Sequence, residues 1–339
     1  MIARRKLSPW VVFAASVTVP ALARIALGES PGPHEAEPST ETEPPGADPA
    51  APDFAPGPAS DPSAPPEPSS KPPRTRADGG GEESTVRRKV PMQNGMLRIP
   101  GGEFTMGYEG PPPGEPNERP AHVVRVAPFW IDRTEVTVTD MRSCLNRGDC
   151  KAALGKGPAC TFEHADRPSG PAALPLNLKS ALNCVSWQSA DAYCRAVGKR
   201  LPTEAEWEFA AGAGQRTRFP WGSRPPSCAL AVTLASNRSG ASCSPRGPAE
   251  VGSHPKGQSP FGVEDMAGNV EEWVADWYAD RYAVEIPGRA APAGPAFGVA
   301  HVLRGGGWMS RPRETRVTAR SWASPNESGP NVGFRCARD

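Results

Sequence analysis

The chain has 339 residues, 43 of them proline, and a formal net charge of +1. So balanced a charge gives no broad basic field for a nucleic-acid backbone, and a DNA- or RNA-binding role is set aside. A large share of the prolines falls between Ser30 and Pro73, which leaves roughly 250 residues, enough for one well-buried domain.

The first segment, 1–27, reads as an export signal. Arg4, Arg5 and Lys6 form a basic start, Trp10 to Ala23 is apolar, and Ala21-Leu22-Ala23 offers a small-x-small cleavage site. The apolar run of about 14 residues is short for a membrane-spanning helix. Ile25 and Leu27 extend it past Arg24, so an uncleaved signal anchor, holding the protein to a membrane, stays open beside cleavage. Either way the expected address is export: periplasmic, envelope-associated or secreted. The first cysteine is Cys144, which rules out a lipid-modified cysteine near the N-terminus.

Residues 28–90 are rich in Pro, Ala, Glu and Ser and are expected to form a disordered linker with little to bury. It would serve either as a tether or as a leader without a specific role. The folded domain is expected over 91–339. Leu97–Ile99, Pro100-Gly-Gly102 and Phe104–Met106 read as strand, turn and strand. His122–Val126, Phe129–Asp132 and Glu135–Thr137 continue as short strands and turns. Ser186 caps a helix through Trp187, Cys194 and Val197 that stops at Gly198. Thr203-Glu-Ala-Glu206 is a capping box opening a second helix through Trp207 and Ala211. The remainder, mostly Gly, Pro and Ser with scattered tryptophans, is expected to be long irregular loops. Eight cysteines without a C-x-x-C fit an exported, disulfide-bonded domain better than a zinc or redox site, but spacing alone leaves 105 pairings open.

Several motifs then occur in a fixed order. They are I99-P-G-G-E-F-T-M-G107, F129-W-I-D-R-T-E-V-T137, W187-Q-S-A-D-A-Y-C194 and G198-K-R-L-P-T-E-A-E-W-E-F-A210. F219-P-W-G222, S259-P-F-G262, D265-M-A-G-N269, R304-G-G-G-W308 and G333-F-R-C336 follow. From about Arg98 to Asp339 the chain resembles the formylglycine-generating enzyme, or sulfatase-modifying factor, family. The resemblance implies an α+β, loop-rich fold related to C-type lectins, with little regular secondary structure. It also implies a Cys194–Cys336 disulfide; Cys144–Cys150, Cys228–Cys243 and Cys160–Cys184 complete the set on proximity alone.

Active members of this family oxidise a sulfatase cysteine to formylglycine with oxygen and a copper ion held by two thiolates, which suit Cu(I) because sulfur is soft. The corresponding stretch here, Met309 to Arg320, contains no cysteine, Gly307 replaces the motif serine, and Glu271 replaces the tryptophan usual after G-N-x. Copper is therefore not expected. The resemblance places a structural calcium ion on carbonyls or side chains of Asp265, Gly268 and Val270 and on the Glu272 carboxylate, oxygen donors of the kind calcium takes. A candidate ligand groove runs through Trp308, Ser310, Arg311, Arg313, Arg316, Arg320 and Trp322. Its arginines could grip carboxylates or sulfates, or instead tie loop carbonyls and surface acids. The expectation is an exported binding module for a peptide, protein or glycan, not catalytic for formylglycine formation. The alternative is a formylglycine-generating or other oxygen-dependent oxidase; a structural envelope module is a third possibility.

Overall fold

The computed structural model describes residues 87–110, 114–164, 178–234, 243–282 and 294–339. The expected leader, and nearly all of the expected linker, lie outside the described residues.

Turn chemistry sets the start of the domain. Strands β1 (Met92–Gln93) and β2 (Met96–Ile99) are joined through Asn94 and Gly95, both at positive φ, the backbone that a tight hairpin demands. β2 pairs with β5 (Phe129–Asp132), which pairs in turn with the terminal β10 (Ala337–Arg338). Between them β3 (Gly102–Met106) and β4 (His122–Val126) form a separate two-stranded ribbon. The alternation in β3 and β4 turns Phe104, Met106, Val124 and Val126 into the core.

Helix α1 (Val138–Arg147) follows, then a single turn α2 (Thr161–His164). Neither is among the two helices expected from sequence. Glu135–Thr137, read as strand, is the extended entry to α1: Thr137 is its N-cap, the Asp140 side chain bonds back to the Thr137 amide at 2.9 Å, and Gly148 closes the helix at φ 77°. A capping box with aspartate in place of glutamate, followed by a glycine stop, was the available signal.

The two expected helices are present. α3 (Trp187–Ala196) is capped by the Ser186 side chain, and α4 (Glu204–Gly212) begins with the Thr203–Glu206 capping box. All nine residues of α4 are buried, as expected of a helix running through a core rather than over it. Its three acids are each matched to an arginine: Glu204 to Arg320, Glu206 to Arg200 and Glu208 to Arg304. Burying those carboxylates would be costly without such partners.

The last third is more regular than its composition suggests. β6 (Glu271–Trp277), β7 (His301–Arg304), β8 (Arg320–Ala323) and β9 (Val332–Phe334) form a sheet in the order β8-β7-β6-β9, with β6 and β9 parallel. Trp207, Phe209, Phe261 and Val302 lie in one core cluster; Trp273, Leu303, Phe334 and the Cys194–Cys336 pair lie in a second. Disulfides join Cys144–Cys150, Cys160–Cys184, Cys194–Cys336 and Cys228–Cys243, the four expected pairs. Cys194–Cys336 spans 142 residues of sequence and contributes about 4–5 kcal/mol on the loop-entropy account. Among the described residues no helix is long and apolar enough to cross a membrane.

Candidate functional site

β7 and β8 pair directly, Arg304 opposite Arg320, so residues 305–319 form one long loop closed at its base. Glycines at 305 and 306, at φ 86° and 61°, turn the chain out of β7, angles that side chains resist. Inside the loop sits Arg304, fully buried. Its guanidinium donates to the carbonyls of Val317 at 2.8 Å, Thr318 at 3.1 Å and Ala319 at 2.9 Å, and pairs with Glu208. Buried carbonyls need such donors, and the arginine holds the returning limb of the loop in place.

The outgoing limb is fixed differently. Ser310 Oγ accepts from the Gly307 amide at 3.0 Å and from Asn331 Nδ2 at 3.2 Å. The Asn331 carboxamide fills the space above Gly307: a Cβ there would lie 2.3 Å from Asn331 Oδ1. The absent motif serine thus has a local reason. Beyond Ser310, Pro312–Thr315 make one 3-10 turn, with the Glu314 carboxylate accepting from the Arg311 amide at 2.7 Å.

Between this loop and the chain around Glu115–Glu118 lies a cavity of about 180 Å³, lined by Glu115, Glu118, Glu271, Ser310, Arg313, Glu314, Arg316, Arg320 and Ser321, among others. Four of the seven expected groove residues, Ser310, Arg313, Arg316 and Arg320, meet here. Arg311 only caps the neighbouring turn. Trp308 is buried and donates its indole N–H to the Pro330 carbonyl at 3.0 Å, whereas Trp322 is 56% exposed and lies against Tyr278. The groove therefore contracts to a pocket without its two tryptophans.

Two of the pocket's arginines already have partners. Arg316 reaches both oxygens of Glu118, at 2.8 and 2.5 Å, and both residues are buried. Burial alone would raise the Glu118 carboxyl, but hydrogen bonds from Arg316 and Thr318 hold it below its usual value. Arg320 donates to Glu204 at 2.6 and 3.0 Å and packs over the rings of Tyr282 and Tyr278. Glu271, the first residue of β6, is only partly exposed, and no cation pairs with it among the described residues. Burial pushes its carboxyl up to about 7, the Ser321 and Asn331 side chains pulling it partly back. Sequence reasoning marked Glu271 as a departure from the family but did not place it in a pocket. Glu118 gave no signal, because its partner lies 198 residues away.

A second acidic group surrounds the expected calcium residues. Asp265, at φ 58°, accepts from the Gly252 amide at 2.6 Å. Glu272 is held by Arg335 through both oxygens at 2.7 Å and accepts from the Trp207 indole at 2.9 Å. Beside them Glu135 is buried; Asn269 donates to one of its oxygens at 3.0 Å, and the other, Oε2, has no partner. Burial first, then the negative charge of Asp265, pushes the Glu135 carboxyl well above its usual range, with Arg335 opposing and Glu272 adding to the rise. Among the described residues no three acid, imidazole or thiol side chains would hold an ion by themselves. An ion here would have to draw on backbone carbonyls as well.

All eight cysteines of the chain are in the four disulfides, and none is free. Residues 82–339 match the model of the sulfatase-modifying factor enzyme 1-like domain. The chain belongs to that family. The formylglycine-generating enzyme of Streptomyces coelicolor is 36% identical, the match covering 72% of this chain and 89% of that enzyme. Hercynine oxygenase of Mycolicibacterium smegmatis is 33% identical, over 71% of this chain and 60% of that protein. Among solved structures, PvdO from Pseudomonas aeruginosa matches with a TM-score of 0.57 at 31% identity, covering 72% of this chain and 94% of PvdO.

Proposed function

We propose that this sulfatase-modifying-factor domain is an exported binding module for a peptide, protein or glycan, and that its ligand site is the pocket between the 305–319 loop and Glu115–Glu118. The observation that carries this reading is the state of sulfur: every cysteine is in a disulfide. A copper centre of the family's kind needs two thiolates, and the residues in the corresponding loop offer hydroxyls, guanidiniums, carboxylates and a single exposed thioether, Met309, instead. Hydroxyls are hard donors and ionise reluctantly, so this donor set does not fit Cu(I). Four disulfides suit an oxidising compartment, which agrees with an exported location, the leader at 1–27 providing either a cleaved signal or a membrane anchor.

Calcium fits the second acidic group. The carboxylates of Asp265 and Glu272 and the carbonyls of Gly268 and Val270 would hold it, and the partnerless buried oxygen of Glu135 supports a cation nearby. Three carboxyls share one guanidinium there, and a divalent ion would offset the surplus negative charge. Its contribution would be structural, fastening the 265–270 turn to β6.

The test uses the full chain, exported from its own signal. Copper content, oxygen uptake and aldehyde formation on a sulfatase-type cysteine peptide are measured beside binding to envelope protein and glycan fractions. Saturable binding without turnover supports the reading; copper-dependent turnover of the peptide overturns it.

A further inference from the structure

The pocket has an uneven charge balance once its ion pairs are counted. Arg316 is neutralised by Glu118 and Arg320 by Glu204, all four of them buried or nearly so. Arg313, more than half exposed, stands 3.6 Å from Glu314, and Glu314 also caps the Arg311 amide. Glu115 lies exposed at the rim, and the amide of Glu118 donates to its backbone carbonyl at 3.1 Å. Glu271 remains. It faces the Ser321 hydroxyl, the Asn331 amide and the charges of Glu314 and Glu327, and no lysine or arginine reaches it among the described residues. A carboxylate set in a cavity wall without a counter-ion loses solvation and gains no ionic partner, an arrangement that a cationic ligand would complete.

From this geometry we infer that the pocket receives a basic side chain, lysine or arginine, from a partner polypeptide, with Glu271 as its counter-ion. The inference rests on the binding-module reading and narrows it from peptide, protein or glycan to a basic polypeptide segment.

Three features support a single side chain over a larger ligand. The cavity, at about 180 Å³, is smaller than the ~300–1,000 Å³ of pockets that enclose a drug-sized molecule. The guanidiniums in its wall present little free positive charge, because each buried one already has its own carboxylate. The Ser321 hydroxyl, also in the wall, can accept a further hydrogen bond of an ammonium or guanidinium group, whereas both lone pairs of Ser310 Oγ are already taken by Gly307 and Asn331. Exposed Arg313 is the one rim charge that would oppose entry, and it acts on the approach more than on the seated ligand.

The test is a titration of the full-length protein with acetyl-Gly-Lys-Gly-amide, followed by nuclear magnetic resonance at low salt. The same peptide acetylated on the lysine Nε and a neutral N-acetylglucosamine trimer serve as comparators. The lysine peptide should saturate, its acetylated form should bind at least about tenfold more weakly, as loss of one charge-assisted hydrogen bond implies, and added salt should weaken the lysine peptide alone. Glu271→Gln should remove the preference for free lysine, and Arg313→Ala should strengthen lysine binding. Equal binding of the two peptides, unchanged binding by Glu271→Gln, or no saturable binding of the lysine peptide overturns the inference. Binding of the trimer that shifts the resonances of Ser310 and Ser321 would also overturn it, yet leave the binding-module reading standing. Copper-dependent peptide turnover would instead remove the reading underneath.

Discussion

Replacing Arg304 with methionine should cost more than any other single change in the site, although Arg304 touches no solvent. The substitution keeps an unbranched stem and removes the charged guanidinium that lies over the Trp207 ring. Glu208, itself buried, is left without its cation, and breaking one side of a buried pair costs roughly 3–5 kcal/mol. The carbonyls of Val317, Thr318 and Ala319 lose their donor together; unsatisfied buried acceptors add about 1–3 kcal/mol apiece when no water replaces the donor. The upper half of the first range is therefore expected. At about 2–4 °C per kcal/mol for a domain of this size, the melting temperature should fall by roughly 8–20 °C. Circular dichroism melting of wild type, Arg304→Met, Glu208→Gln and the double variant would measure this. The double variant should regain at least about 1 kcal/mol relative to additivity, because a neutral amide no longer needs the guanidinium. A loss below about 1 kcal/mol for Arg304→Met, or strict additivity, would refute the idea that this pair holds the loop.

Other consequences can be checked in the same way. Gly307→Ser, which restores the family's serine, should destabilise by about 1–3 kcal/mol in a urea titration, since its Cβ would meet Asn331 Oδ1 at 2.3 Å. Cys194→Ser with Cys336→Ser should lower stability by about 2–5 kcal/mol, the largest effect of any of the four disulfides, because this one closes 142 residues. Calcium at a hundred times its dissociation constant should raise stability by about 2.7 kcal/mol, an increment removed by chelation and absent from Asp265→Ala. An unchanged melting temperature in chelator would argue against the ion.

How much of this was legible in the sequence depends on the range of the interaction. Thr203 with Glu206, and Ser186 ahead of α3, were readable because a cap and its acceptor are three residues apart. α1 carried the same kind of signal, but the β-branched run Val136–Thr139 favoured strand and masked it. β6 was missed for a different reason. Its acids at 271, 272 and 276 look like loop residues, yet Glu272 is matched by Arg335 across 63 residues and Asp276 accepts the amides of Glu204 and Gly294. Long-range pairing of this kind lets a strand bury charge, and a single sequence does not display the pairing. The same holds in the site. The missing thiolates could be read directly, whereas the contraction of the groove to a pocket depended on Glu118 reaching Arg316 and on Trp322 pointing outward.

Whether any cysteine is free separates a binding module from a copper oxidase, and a count of thiols reads this out. The protein, purified and denatured without reductant and treated with iodoacetamide, should show no alkylated cysteine by mass spectrometry, all eight being held in disulfides. Two or more labelled cysteines in the native material, together with stoichiometric Cu(I) binding, would contradict the binding-module reading.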